Sequence, residues 1–103
     1  MKKGPLFEQQ VVDYLREHGF PWAERRVQGG SKDRGDVGGV PAVTLEVKNC
    51  ARVELAAWTD EAAVEAQNAG TEVYAVVAKR RGKGDVGQSY VIMPLSVFVG
   101  LVR

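Results

Sequence analysis

Residues 34–50 read RGDVGGVPAVTLEVKNC. Within them, positions 43–48 alternate strictly. Val43, Leu45 and Val47 fall on one side, and Thr44, Glu46 and Lys48 on the other, which is the period of an extended strand. Gly38, Gly39 and Pro41 lie just before it, so 36–40 and 42–48 are predicted to form a β-hairpin around that turn. The strand is otherwise strongly apolar, so Glu46 and Lys48 need a reason to be there.

Working outward, residues 21–27 (PWAERRV) read as a short strand, and 28–35 (QGGSKDRG) as a polar loop rich in turn formers. Upstream, 5–18 is predicted to be a helix, with Pro5 in the first turn and Gly19 just past the end. Phe7, Val11, Val12, Tyr14 and Leu15 make its apolar face. At ~100° per residue Glu8 falls inside that apolar arc, an odd place for a carboxylate. His18 suits the dipole at the helix end and is read as structural. Downstream, Leu55, Trp58, Ala62, Ala66 and Ala69 mark a helix over 54–69, with Gly70 as terminator and Trp58 as core. Strands follow at 72–79 and 89–93, and a short helix at 95–102. The order α-β-β-β-α-β-β-α predicts a single α/β domain over 1–103, with a central mixed β-sheet flanked by helices.

Apolar residues make up 45% of the 103, which favours a packed core over disorder. The formal net charge of +1 marks no partner, but basic residues cluster around 25–34 and again at Lys79, Arg80, Arg81 and Lys83. Cys50 is the one cysteine and His18 the one histidine, which excludes an intrachain disulfide, a thiolate cluster and a His-rich zinc site. Glu8 interrupts the N-terminus before any hydrophobic run, so no secretory signal is expected. The most apolar stretch, 90–102, contains Pro94 and is too short to span a bilayer as a helix. A cytoplasmic protein without a membrane partner is expected. That stretch either packs within the monomer or serves in part as a dimer surface.

Asp36 opens the first strand of the hairpin, and Glu46 and Lys48 lie on the returning strand. Cross-strand neighbours on one face, diagonals included, come within roughly 8 Å, so the two carboxylates can converge with the ammonium one pleat along. Such a set suits a hard divalent cation, magnesium or manganese in its place. The metal would acidify a bound water, and Lys48 would stabilise charge on a phosphate oxygen. The ordinary alternative is a surface ion pair worth ~0–1 kcal/mol. Three features favour the site: the apolar strand, Glu8 as a third carboxylate, and a preceding loop with Ser31 and Arg34. The tetrapeptide Gly-Asp-Val-Gly recurs at 84–87, but no carboxylate or lysine follows it. Asp85 is therefore assigned to a turn.

These residues resemble the D-(D/E)-x-K nuclease superfamily, and within it the archaeal-type and phage Holliday junction resolvases. The resemblance runs through LFEQQVVDYLREHGF, ERRVQGGSKDRGDVGG, VTLEVKN, LAAWTDEAAVEAQNAG and VYAVVAKRRG, in that order. It implies a restriction-endonuclease-like fold and a magnesium-dependent endonuclease, a homodimer cutting four-way DNA junctions. Asp36 and Glu46 would hold the metal, Glu8 would complete the site directly or through water, and Lys48 would be the catalytic lysine. Ser31 and Arg34 would approach the scissile phosphate. Many relatives carry a glutamine where Glu61 stands here, so Glu61 is left out of the expected site. Arg25, Lys32, Arg34, Lys79, Arg80, Arg81 and Lys83 are expected to meet branched or duplex DNA through its phosphates. Two other readings stay open: a nuclease of the same fold acting on duplex or flap DNA, and a catalytically inactive DNA-binding protein.

Overall fold

A computed structural model describes residues 3–26 and 32–103. Helix α1 runs Lys3–Glu17 and is followed by two short strands, β1 (Glu24–Arg25) and β2 (Val37–Gly38), then β3 (Val43–Lys48). Helix α2 (Leu55–Ala69) leads to β4 (Val73–Ala78), a 3-10 turn at Val86–Gln88, β5 (Tyr90–Ile92) and helix α3 (Leu95–Val102). The five strands form one mixed sheet in the order β1-β2-β3-β4-β5. Only β3 and β4 run parallel, and α2 is the crossover that makes this possible.

The alternation in β3 sets the two layers. Leu45 and Val47 join Phe7, Val11 and Val12 of α1, together with Ala75 and Val77 of β4, in one buried cluster. On the opposite face Trp58 and Ala62 of α2 pack on Val76 and Ala78. β4 is covered on both sides, which is why it reads as a continuous apolar run. The small alanines of α2 let that helix lie close to the sheet. Its C-terminus closes on Gly70 in the left-handed region, at φ 77°.

The first strands are shorter than the sequence suggests. Only Glu24 and Arg25 of the 21–27 segment pair with β2, and Val27 lies outside the described residues. β2 stops at Gly38 because the chain must turn at once: Gly39 has φ 83°, and a Cβ there would stand 1.9 Å from the Trp22 carbonyl oxygen. Glycine is thus required on two counts, backbone conformation and space. His18 donates from Nδ1 to the Tyr14 carbonyl at 2.7 Å and stacks on the Tyr14 ring, a local helix-end role. Among the described residues no helix is long and apolar enough to cross a membrane.

Candidate functional site

Asp36 lies just before β2, where β2 and β3 part. Its N–H donates to the Leu45 carbonyl and its own carbonyl accepts from Arg26 N–H, each at 2.9 Å. Its side chain continues the ladder: Oδ2 accepts from Val47 N–H at 2.8 Å. Gly35, at φ 94° and against Thr44 and the Leu45 carbonyl, allows this close approach. Two backbone hydrogen bonds fix Asp36 between its neighbouring strands, and a third holds its carboxyl against Val47.

Glu46 and Lys48 project from β3 toward α2. The Glu46 side chain is only 5% exposed, and Lys48 Nζ stands 3.3 Å from its Oε2. Glu46 Oε1 is buried with no hydrogen-bond partner among the described residues. The carboxyls of Asp36, Glu61 and Glu65 all lie close enough to Glu46 to bear on its charge. Burial, then the contact with Glu61 and the negative charge of Asp36, push the Glu46 carboxyl up to about 11. Lys48 also pairs with Glu61 Oε1 at 2.8 Å. Partial burial works against its charge, but the contacts with Glu61 and Glu46 outweigh that and hold its pKa above the ordinary lysine value.

Glu8 enters from α1. Its Oε1 accepts from Arg25 Nε at 3.1 Å, and burial followed by the charge of Asp36 raises its pKa. Asp36 therefore stands electrostatically between Glu8 on one side and Glu46 on the other.

α2 supplies carboxylates that the sequence reading left out. Glu65 is 2% exposed, and burial, together with Asp33 and Glu61, pushes it up to about 8. Asp33, Glu61 and Glu65 each offer an oxygen, all within 4.8 Å of one another. A signal existed in the sequence. Trp58, Ala62, Glu65, Ala66 and Ala69 share one helical arc, so Glu65 interrupts an apolar face just as Glu8 does.

Family models, curated proteins and solved structures give no match to this chain.

The remaining expected residues fall in three places. Parallel pairing brings the end of β4 beside Lys48, and Lys79 N–H donates to the Lys48 carbonyl at 3.0 Å. A cavity of about 420 Å³ opens there, lined by Lys48, Lys79, Arg80 and Arg81 among others, with Trp58 and Tyr90 in its wall. The Arg80 guanidinium lies 5.7 Å from the Tyr90 ring centroid, and Lys79 Nζ reaches over the Phe7 ring. Lys83 sits further along that turn, exposed and outside the cavity lining. Lys32 and Arg34 are exposed on the segment leading to Asp36, where the Arg34 carbonyl accepts from Arg26 Nη1. Ser31 lies outside the described residues.

Asp85, the second copy of the tetrapeptide aspartate, caps the 3-10 turn by accepting from Gly87 N–H at 2.9 Å. The whole arrangement is an acidic well with one ammonium on its wall and a basic rim at the end of β4. Buried carboxylate oxygens without donors suit a hard cation, and the rim suits a polyanion.

Proposed function

We propose that this chain is a metal-dependent DNA endonuclease of the restriction-endonuclease-like fold, acting as a homodimer on four-way junctions. The observation that carries this reading is the convergence of Asp36, Glu46 and Lys48 at the split between β2 and β3. Asp36 and Glu46, with Glu8 beside them, would hold magnesium or manganese. The fit rests on the Glu46 oxygen that is buried and unpartnered, since a hard cation takes oxygen ligands and neutralises such a group. When bound, the metal supplies an acidified water as the nucleophile.

The side chains do the rest. Asp36 is held rigid by the Val47 amide, so its carboxyl needs no reordering on binding. Lys48 stays cationic because Glu61 and Glu46 flank it, and its ammonium is positioned to stabilise charge growing on a phosphate oxygen. Arg80 and Arg81 would lead the phosphate backbone toward Lys48. A protein that only bound DNA would gain nothing from burying carboxylates beside a phosphate path, because they repel it. This weighs against the inactive reading. The exposed apolar side chains of β5 and α3, Val91, Leu95, Phe98, Leu101 and Val102 among them, support a dimer face. Preference for junctions rests on the resemblance in the sequence.

The test is to incubate the protein and magnesium with synthetic four-way junction, fork and duplex DNA side by side. Paired symmetric cuts in the junction are expected. Cutting of duplex or fork alone would retain the nuclease and replace the substrate, and no metal-dependent cutting of any of them would overturn the reading.

A further inference from the structure

The geometry points to a second divalent-cation site, formed by Asp33, Glu61 and Glu65, that staples the 32–36 segment to α2. It borders the Asp36–Glu46 pair but shares no ligand with it, and it requires no nuclease activity.

Three carboxylate oxygens within 4.8 Å of one another are not in themselves a site. Glu65 is the independent observation. It is almost wholly buried, at 2% exposure, and neither of its carboxylate oxygens has a hydrogen-bond partner among the described residues. Burying an ionised carboxylate without compensation costs several kcal/mol or more. A cation between Glu65, Glu61 and Asp33 removes that cost, and its all-oxygen surroundings select a hard ion such as magnesium, manganese or calcium.

The charge balance around the cluster agrees. Glu8, Asp33, Asp36, Glu46, Glu61 and Glu65 meet only Arg25 and Lys48 in ion pairs among the described residues. A bound cation displaces the protons that burial holds on its carboxyl ligands; with all the carboxyls then ionised, one divalent ion leaves the set negative, and a second brings it to neutrality. Lys48 serves Glu46 and Glu61 and no other carboxylate, so Asp33 and Glu65 are the groups left for the second ion.

The backbone around Asp33 is already set for this. Asn68 Nδ2, on α2, donates to the Asp33 carbonyl at 2.8 Å. Asp33 Oδ1 accepts from Gly35 N–H at 2.9 Å. An ion on the side chains would add a second tie between the same two elements. The segment it secures carries Arg34 and leads into Asp36.

The test uses the full chain stripped of metal and titrated with Mn²⁺ alone, with bound ions counted by calorimetry and electron paramagnetic resonance. Wild type is expected to bind two ions per chain, by the charge balance above. Asp33→Asn combined with Glu65→Gln should lose one, or bind it about tenfold more weakly or worse, while Asp36→Asn keeps that one and loses the other. Glu65→Gln is isosteric, and Asp33→Asn lies outside the core, so folding is retained; the single Asp33→Asn change serves if the pair does not fold. As a second readout, trypsin cleavage after Lys32 and Arg34 should slow about tenfold at Mn²⁺ ten times its Kd. That protection should persist in Asp36→Asn and vanish in Asp33→Asn. Ion number, affinity and protection unchanged by the Asp33 and Glu65 substitutions would overturn the site. A single ion lost only in Asp36→Asn would do the same while leaving the nuclease reading intact. A single ion lost only with Asp33 and Glu65 would support this site and count against the cation at Asp36.

Discussion

Gly-Asp-Val-Gly occurs twice in this chain, and the two copies have different fates. At 35–38 the aspartate reaches across to another strand: Asp36 accepts from the Val47 amide and borders Glu46. At 84–87 the aspartate turns on itself: Asp85 accepts from Gly87, two residues away, in an exposed turn. The four residues are identical, so the difference lies in what they are paired with. The first copy feeds an antiparallel ladder whose partner carries Glu46 and Lys48. The second joins a basic turn to β5, with Arg80, Arg81 and Lys83 just before it. One region is an acidic well and the other a cationic rim, and the parallel β3–β4 pair brings them to the same end of the sheet.

The sharpest way to break this contrast is to remove the aspartate carboxylate from each copy in turn, beginning with the first. Asp36→Asn should abolish metal-dependent cleavage while leaving DNA binding intact or slightly tighter, because a charge that repels phosphate is removed. Cleavage assays and filter binding on the same preparation check both halves, and undiminished cutting would end the distinction between the copies.

The next largest effect concerns the well alone. In the metal-free folded chain Glu65 is held up to about 8 and Glu46 up to about 11, against an ordinary value of 4.5. Between 4.5 and those values the folded state keeps protons that the unfolded chain has released, so stability is full below that window and falls as pH rises through it. Melting in chelator should show Tm dropping from about pH 6 to about pH 9, with Glu46→Gln removing much of the drop. A Tm that climbs over this range would contradict the crowding described for the well.

A smaller effect is expected at the rim. Arg80→Ala with Arg81→Ala should weaken binding evenly across DNA sequences and reduce the salt slope by about 2, at roughly 0.9 for each phosphate no longer neutralised. An unchanged slope would separate the rim from DNA. Smallest of all is Asp85→Ala. Loss of a turn-capping carboxylate costs about 1 kcal/mol, read as a shift in the urea midpoint, with cleavage unaltered.

Much of this arrangement is visible in one dimension because strand and helix periods are short. Alternation over 43–48 puts Glu46 and Lys48 on one face, and the structure has them 3.3 Å apart. The helical arc that singles out Glu8 leads to a carboxyl that feels Asp36. The order of helices and strands also follows from periodicity and from the glycine and proline stops, and the observed order is the one expected. What stayed hidden depends on how elements pack. Glu61 and Glu65 reach Lys48 and Glu46 only because α2 docks at one particular rotation over β3, and no local pattern encodes that rotation. Asp33 joins them through an Asn68 hydrogen bond spanning 35 residues of chain. The short β2 is likewise tertiary in origin, since it reflects Gly39 passing over the Trp22 carbonyl.

The most direct test of the shared-cation account is a crystal structure of the chain grown with saturating Mn²⁺, with anomalous scattering collected at the manganese edge. An anomalous peak bonded to carboxylate oxygens of both Asp36 and Glu46 is the result this account requires. Carboxyls of those two residues turned apart, with no peak between them, would contradict it.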